Sequence, residues 1–497
     1  QLPHRTWPNN TLSKAPIWCS VDLRDGNQAL VTPMNLHQKI GLFNYLVAIG
    51  FKHIEVGFPA ASTVEFDFVR YIIENNLIPK DVTIQVLTQA REHLIQRTLT
   101  AIEGTHSAIV HLYNSTSTAQ RNYVFQKSKD EIIDIALQGV QLIQTNLTDQ
   151  HHNISLEYSP ESFTGTEIEF SMAICNQVID HWTVSSPIII NLPATVELFM
   201  PNIYADMIEY ACNNLNRRNE VILSVHTHND RGTCTAATEL ALLAGADRVE
   251  GTLFGNGERT GNLDITTLAL NLYMHGIDPQ LDVYDLNKME QVYKHSTGMS
   301  IDSRHPYAGE LVFTAFSGSH QDAIKKGMAA YKTDTVWDVP YLTIDPEDIG
   351  KKYQAIIRIN SQSGKGGVAY VLEMDYQCVL PKKMQPDVAS FIQKKAEDTG
   401  KEVSSSDIWD IFNIEFINRN DVLSLDKIHT ELFDNGQVKS DLTITFNGQT
   451  ETLSATGNGP IDASKKALKR LFPSITIESY AEHSLSQGSD SKAICYI

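Results

Sequence analysis

The chain has 497 residues, which is too long for one ordinary domain and suggests about three. With 42% hydrophobic and 20% charged residues, its composition is that of a globular protein that buries a large core. The net charge of −19 argues against a general binder of nucleic acids or membrane surfaces, and no apolar run approaches the length of a membrane span.

The six cysteines are scattered, without a CxxC pair, as is typical of reduced thiols in a cytoplasmic protein. The first residues, QLPHRTWPNN, contain no apolar segment of the kind found in a secretion signal. We therefore expect a cytoplasmic location. The segment also lacks Met, so we expect the N-terminus to be incomplete.

From Trp18 to about residue 275, short β-like runs alternate with longer segments of helical periodicity. The runs are IWCSVDL (17–23), HIEVGF (53–58), TIQVLT (83–88), SAIVHLY (107–113), ISLEY (154–158), PIIINL (187–192), VILSVH (221–226) and RVEGTLF (248–254). Eight β-α units in about 260 residues have the size and rhythm of a TIM barrel. We therefore predict an α/β fold with a TIM (β/α)8 barrel. A doubly wound open sheet is the alternative, although it rarely needs eight uniform parallel strands.

After residue 278 this rhythm ends, and smaller subdomains are predicted. The segment 305–331 is expected to be a loop and a helix that carries His320, and GKGGVAYVLEM (364–374) is expected to form a hairpin. An amphipathic helix is predicted near 386–399. From about residue 422, the alternating strands KIHTELF, SDLTITF and QTETLSA lead into a Gly-rich turn and a helix, and more strand-like sequence follows.

In a TIM barrel the active site forms at the C-terminal ends of the strands. The predicted strands all end in polar or ionisable residues, which an inert barrel would not need. These endings are DLRDGNQ (22–28), Glu55, Thr88 and Gln89, HLYNSTS from His111, EYSPES from Glu157, NLPATVE around Thr195, His226 with His228, and FGNGERTGN (254–262).

Two histidines at i and i+2 of a strand point to the same face, so His226 and His228 are expected to reach one point in space. Asp25, just past the first strand, is the natural third ligand of a divalent metal, and Asn262 is expected either to supply a neutral oxygen or to hold a bound water. The HxH pattern alone is weak, since both histidines could merely bond backbone in a loop. The donor set suits Mg²⁺, Mn²⁺, Zn²⁺ or Fe²⁺, with open positions at which a 2-oxoacid can chelate.

DLRDGNQAL, HTHNDRG and FGNGERTGN, in this order, resemble the motifs of the DRE-TIM metallolyase superfamily. Within it, EVGFPAAS, IVHLYNSTS, EYSPESFTGTE, NLPATVE, AFSGSHQDAIKKG and TGNGPIDA are together similar to the 2-isopropylmalate synthase family. The resemblance implies an acyltransferase that condenses acetyl-CoA, its co-substrate, with 3-methyl-2-oxobutanoate and water. The products would be (2S)-2-isopropylmalate and CoA, in the first committed step of leucine biosynthesis.

The resemblance also implies site residues. Asp25, His226 and His228 would bind a divalent metal (Mg²⁺, Mn²⁺ or Zn²⁺), and Asn262 would complete its shell. Arg24 would steady the substrate oxygen as negative charge develops on it. The alternative for Arg24 is a salt bridge to a neighbouring aspartate and no more.

By the same comparison His111, Glu157 and Thr195 line the 2-oxoacid pocket. His320 and Tyr341 follow the barrel, in a segment that reaches over the active site of the other subunit of a homodimer. His320 and Glu157 are candidates for the base that deprotonates the acetyl group. Alternatively, Glu157 is a structural partner of a basic residue and His320 a helix-capping residue.

The loop FGNGERTGN is expected to lie mainly beneath the metal ligands, with Glu258 and Arg259 paired there. The predicted domains are a catalytic barrel (1–309), a linker subdomain with the helix that reaches the active site (310–355), a second linker subdomain (356–421) and a leucine-regulatory-type α+β domain (422–497). We expect this last domain to be incomplete, which leaves leucine as an effector in doubt.

Several rivals remain at this point. Homocitrate and citramalate synthases share the metal and the chemistry but take other 2-oxoacids, and a superfamily acyl-CoA lyase would cleave the carbon–carbon bond instead. An iron oxygenase would use a similar 2-His-1-carboxylate set, yet such sites usually lie on other folds. A non-catalytic effector-binding protein would have no reason to keep Arg24, Asp25 and both histidines at strand ends.

Overall fold

The computed structural model describes residues 2–315, 317–332, 335–353, 365–399, 403–417, 423–484 and 491–497. The chain divides into two compact units, Gln1–Val312 with Ile344–Lys352, and Phe313–Thr343 with Tyr353–Ile497. Among the described residues, no helix combines the length and the apolar character that a membrane crossing requires.

The first unit contains a closed barrel of eight parallel strands, in which β8 pairs back with β1. The strands are β1 Ile17–Ser20, β2 His53–Gly57, β3 Thr83–Gln89, β4 Ala108–Ser115, β5 Ile154–Glu161, β6 Ile188–Ala194, β7 Val221–Thr227 and β8 Arg248–Gly251. They read as apolar runs because such strands are covered on both faces; β6 is buried along its whole length. The closed ring confirms the TIM barrel and rules out the open sheet.

Helices follow the strands and surround the barrel. They are α1 Leu36–Ala48, α2 Thr63–Glu74, α3 Glu92–Ile102, α4 Lys129–Thr145, α5 Ile168–His181, α6 Pro201–Asn214, α7 Cys234–Leu243, α8 Ile265–Met274 and α9 Leu286–Thr297. Two of them begin at capping boxes, in which the side chains of Asn35 and Ser128 accept a hydrogen bond from the third helical residue.

The second unit begins with helix α10, Gly318–Ala330, which carries His320 as predicted. Three more helices follow: α11 Lys365–Tyr376, α12 Gln385–Thr399, which confirms the helix expected near 386–399, and α13 Ser405–Phe412. The hairpin expected over 364–374 is wrong. Val368, Val371 and Leu372 recur at the helical spacing and are buried in one cluster, and this apolar face outweighs the two neighbouring glycines.

The same unit contains an antiparallel sheet, β9 Leu423–Leu432, β10 Val438–Phe446 and β11 Gln449–Gly457, with β10 in the middle. Helix α14, Pro460–Leu468, buries Ala467 against this sheet, as the strand and turn pattern predicts. The last strands, β12 Ala481–Ser484 and β13 Ala493–Tyr496, pair with each other, and Tyr496 packs into the cluster of α11 to α13.

Candidate active site

A compact cluster of potential metal ligands lies at the C-terminal end of the barrel. Asp25 lies in a short helical turn after β1, and His226 and His228 come from the end of β7. Their ligand atoms all lie within 4.8 Å of one another: Nε2 of His226 and of His228 are 3.1 and 3.5 Å from Asp25 Oδ2. The i, i+2 spacing thus brings both imidazoles to one carboxylate, as predicted.

The charge state of this cluster suits a cation. Burial alone would favour the neutral acid, but the Arg24 guanidinium and the two imidazoles hold the pKa of the Asp25 carboxyl well below its usual range. Asn262, in the loop after β8, donates from Nδ2 to Asp25 Oδ2 at 2.7 Å. Its Oδ1 is buried and has no hydrogen-bond partner among the described residues, so the amide has an oxygen to offer. Two imidazoles, a carboxylate and an amide oxygen form a recognised divalent donor set.

Arg24 lies directly beside the metal cluster. Its Nε donates to Glu55 Oε2 at 2.7 Å, and its Nη1 lies 3.2 Å from Asp25 Oδ1. Burial opposes the charge, yet the carboxylates of Glu55 and Asp25 raise the pKa of the Arg24 guanidinium above its ordinary value. The salt bridge to a neighbouring aspartate therefore exists, and Arg24 also faces the cavity described next.

The cluster opens into a cavity at the mouth of the barrel. Its lining comes from all strand ends except that of β2. The lining residues are Arg24, Asp25, Gln28, Leu87, His111, Tyr113, Ser159, Glu161, Asn191, Pro193, Thr195, His226, His228, Glu258 and Arg259. The cavity is thus polar and charged on the metal side, with Leu87, Tyr113 and Pro193 as its larger apolar surfaces.

The two predicted substrate-binding residues both line this cavity. His111 Nδ1 lies 2.8 Å from Glu55 Oε1, and its Nε2 lies 2.7 Å from Ser159 Oγ, so the ring is fixed on both sides. Thr195 Oγ1 accepts a hydrogen bond from the backbone N–H of Ser162 at 2.9 Å. The hydroxyl proton of Thr195 is thereby left to donate to another acceptor.

Glu157 does not line the cavity, which corrects the sequence-based expectation. Its carboxyl is fully buried, 3.2 Å from Arg248 Nη1. This matches the alternative in which Glu157 is a structural partner of a basic residue. Burial, with the neighbouring Glu250 carboxylate, raises the pKa of Glu157 well above its ordinary value. The cavity is lined instead by Ser159 and Glu161, further along the same strand.

The sequence contains a signal for this difference. Positions 157, 159 and 161 share one face of β5, and each step of two residues moves about 6.6 Å towards the mouth of the barrel. Of the two glutamates in this series, Glu161 is the one nearer the mouth; it lines the cavity and accepts a hydrogen bond from Ser115 Oγ.

His320 and Tyr341 belong to the second unit, and the structure brings them to each other. Their rings stack with centroids 4.0 Å apart and an interplanar angle of 23°. Both side chains are exposed, Tyr341 by 63%. The roles implied for them stay predictions.

The expected pairing of Glu258 with Arg259 is wrong. Arg259 donates from Nε to Asp230 Oδ1 at 2.7 Å, and its Nη2 donates to the carbonyl of Thr195. Glu258 instead accepts a hydrogen bond from Gln28 at 3.3 Å. Adjacent residues in this loop face different neighbours because Arg259 adopts a left-handed conformation, with φ 57°.

Comparisons with known proteins agree with this geometry. Residues 15–292 match the HMGL-like family, residues 310–373 match the "Alpha-isopropylmalate synthase, post-catalytic domain-like" family, and residues 402–497 match the "LeuA allosteric (dimerisation) domain". The 2-isopropylmalate synthase of Clostridium acetobutylicum is 51% identical, across 100% of this chain and 91% of that protein. That of Acetoanaerobium sticklandii is 53% identical, across 100% of this chain and 89% of the relative.

The barrel, the ligand cluster at its mouth and the family match define the class: an enzyme of the HMGL-like superfamily, whose members depend on a metal. The relatives are about half identical over the whole chain. The chain belongs to the 2-isopropylmalate synthase family, which confirms the resemblance of the sequence motifs. The match to the LeuA domain supports a dimer.

Proposed function

We propose that the chain catalyses the condensation of acetyl-CoA with 3-methyl-2-oxobutanoate and water to (2S)-2-isopropylmalate and CoA. The observation that carries this proposal is the convergence of Asp25, His226 and His228 beside Arg24 at a cavity of the barrel mouth. Relatives named 2-isopropylmalate synthase, which match the whole chain at about half identity, support the choice of acceptor.

We propose that Asp25, His226, His228 and Asn262 hold a divalent metal, namely Mg²⁺, Mn²⁺ or Zn²⁺. When bound, such an ion supplies Lewis-acid polarisation of the ketone of the 2-oxoacid. The fixed cation of Arg24, beside these ligands, would stabilise negative charge that develops on the ketone oxygen, and a preorganised charge of this kind stabilises a transition state strongly.

The remaining lining residues would bind the 2-oxoacid. The free hydroxyl proton of Thr195 is suited to donate to the substrate carboxylate. His111, held by Glu55 and Ser159, would form part of the same wall of the cavity. Leu87, Tyr113 and Pro193 offer the apolar surface that an isopropyl group requires. A substrate with a second carboxylate would gain no matching cation from these three residues.

The bond changes require a base and a water molecule. The base removes a proton from the acetyl methyl group, the resulting carbanion attacks the keto carbon, and the ketone oxygen takes a proton to become the tertiary hydroxyl. Water then cleaves the thioester, and the CoA thiol leaves. We propose that Glu161 takes the role expected of Glu157, and that His320 and Tyr341 act from the partner subunit.

We also propose a homodimer with leucine as an effector of the C-terminal domain. The match of residues 402–497 to the LeuA allosteric (dimerisation) domain supports both the dimer and the effector. Inhibition of turnover by added L-leucine, but not by D-leucine, tests the effector. A cytoplasmic location remains a prediction; the free thiols of all six cysteines are consistent with it.

The test is CoA release from acetyl-CoA, followed with a thiol reagent and a panel of 2-oxoacids. We expect release with 3-methyl-2-oxobutanoate well above 2-oxoglutarate and pyruvate, and its loss on chelation. A blank with enzyme alone is needed because Cys495 is a free, exposed thiol that the reagent can reach. A preference for 2-oxoglutarate or pyruvate would indicate homocitrate or citramalate synthase, and cleavage of a 3-hydroxyacyl thioester would indicate the lyase.

A further inference from the structure

Glu250 lies in β8, beneath the metal cluster, and is fully buried. Its Oε2 lies 2.7 Å from Nδ1 of His226. The other ring nitrogen of His226, Nε2, faces Asp25 Oδ2 at 3.1 Å. Both ring nitrogens thus face carboxylates, which can only accept hydrogen bonds. With a metal bound on the Asp25 side, Nε2 would be its ligand, and the one remaining ring proton would stay on Nδ1, donated to Glu250.

The Glu250 carboxylate is itself held from several sides. Oε1 accepts hydrogen bonds from Arg248 Nη1 at 2.9 Å and from Gln85 Nε2 at 3.0 Å, and Oε2 accepts from Asn191 Nδ2 at 3.2 Å. All three donors are buried. The carboxylate therefore cannot turn away from His226 without breaking three hydrogen bonds from buried donors.

The second histidine has a different outer contact. Nδ1 of His228 faces the backbone carbonyl of Ala194 at 3.3 Å, which is a longer contact to an uncharged acceptor. Of the two imidazoles, His226 is thus the one whose orientation depends on an ionisable side chain. The effect of this outer partner, Glu250, on His226 can therefore be tested by substituting Glu250.

We propose that Glu250 is a positioning residue of the metal centre. Its carboxylate fixes the Nδ1–H tautomer of His226, and the Arg248–Gln85–Asn191 cluster fixes the carboxylate. The inference rests on the metal site of the proposed function. It adds to that site the residues that hold the metal ligand His226 in place. Outer carboxylates of this kind typically change metal affinity or activity by about 10–100-fold when they are removed.

The test is a Mn²⁺ titration of metal-free protein, followed by the electron paramagnetic resonance signal of free Mn²⁺. Glu250→Gln is compared with Glu157→Gln, a matched control, because both carboxyls are fully buried beside Arg248. Glu157 faces His111 and not a metal ligand. We expect Glu250→Gln to raise the Kd for Mn²⁺ about 10–100-fold, and Glu157→Gln to leave it unchanged.

An unchanged Kd in Glu250→Gln overturns the inference, and so does an equal rise in both variants, since the cause would then be general damage to the buried cluster. A wild-type protein that binds no Mn²⁺ would instead refute the metal site itself. Should the variants fail to fold, ¹⁵N-histidine spectra of the Zn²⁺-loaded wild type decide. A ring proton on Nδ1 of His226, assigned by its loss in His226→Asn, supports the inference, and a proton on Nε2 overturns it.

Discussion

The guanidinium of Arg24 and the carboxylate of Glu55 meet at 2.7 Å, next to the proposed metal ligands. The Glu55 side chain is fully buried and its other oxygen contacts His111, so the pair cannot swing apart freely. Arg24 is consequently held in one orientation before any substrate arrives. This arrangement makes the contribution of Arg24 to turnover directly measurable.

We expect Arg24→Lys to lower kcat by about 10²–10³-fold, the loss typical when one preorganised group that stabilises an oxyanion is removed. A lysine ammonium cannot contact Glu55 and the substrate oxygen with the same planar geometry. The measurement is kcat at saturating substrates, with metal content determined in parallel. Arg70→Lys, on the outer helix α2, is the control; equal kcat in both variants would contradict the role of Arg24.

Metal removal should lower both activity and thermal stability. A bound ion stabilises the native state by about 2.7 kcal/mol when its concentration is about 100 times its Kd. We therefore expect a chelator to lower the Tm of the wild type and re-addition of metal to restore it. Asp25→Ala and His226→Ala should abolish turnover in a folded protein whose Tm no longer responds to metal. A metal-dependent Tm in both variants would exclude the site as described.

Glu161→Gln should lower kcat by about 10²–10⁴-fold if Glu161 acts as the base, because a neutral amide cannot take a proton. Its Tm should stay near that of the wild type, since the side chain lies at the cavity and not in the core. Solvent exchange of the acetyl methyl protons isolates the deprotonation step. Glu169→Gln, on the exposed face of α5, controls for surface charge, and full exchange in Glu161→Gln would exclude the base.

Action of His320 from the partner subunit predicts complementation between two inactive variants. His320→Ala and Arg24→Gln each damage a different part of the site. In a symmetric dimer a 1:1 mixture that exchanges subunits recovers about a quarter of the wild-type activity. No recovery, despite proven exchange of labelled subunits, would place His320 in the site of its own chain.

Arg248→Met tests the buried cluster of the barrel. Arg248 is fully buried and pairs with Glu250 and Glu157, and removal of one partner from such a cluster costs about 3–5 kcal/mol. The free energy of unfolding from urea titration should fall by this amount. Lys52→Met, which breaks an exposed ion pair with Asp81, should leave the free energy of unfolding nearly unchanged. A similar fall in the free energy of unfolding in both variants would contradict the larger contribution expected of the buried Arg248.

Much of the site follows from strand geometry alone. The period of two in β-strands places His226 and His228 on one face, and the ring order places the end of β1 near the end of β7, so Asp25 could be added without a structure. The same rule places Glu157 and Glu161 on one face, with Glu161 nearer the mouth of the barrel. Where the cavity begins along the strand, and hence which glutamate lines it, is seen only in the structure.

Other features depend on contacts that no local pattern contains. Arg259 pairs with Asp230 because two loops meet at the mouth of the barrel, whereas the sequence suggests its neighbour Glu258. In α11, two glycines suggest a turn, but Val368, Val371 and Leu372 obtain more from burial in a helical cluster than the glycines cost. Tertiary packing decided both cases.

The pairing of β1 with β8 joins the two ends of the barrel sequence, and the metal ligands lie across that junction. Asp25 and Asn262, 237 positions apart, meet there through one hydrogen bond. A growing polypeptide therefore cannot assemble the ligand set until its eighth strand has been made and docked. The metal site should thus form late in synthesis, together with ring closure, and an ion bound there would hold the first and last strands of the barrel together.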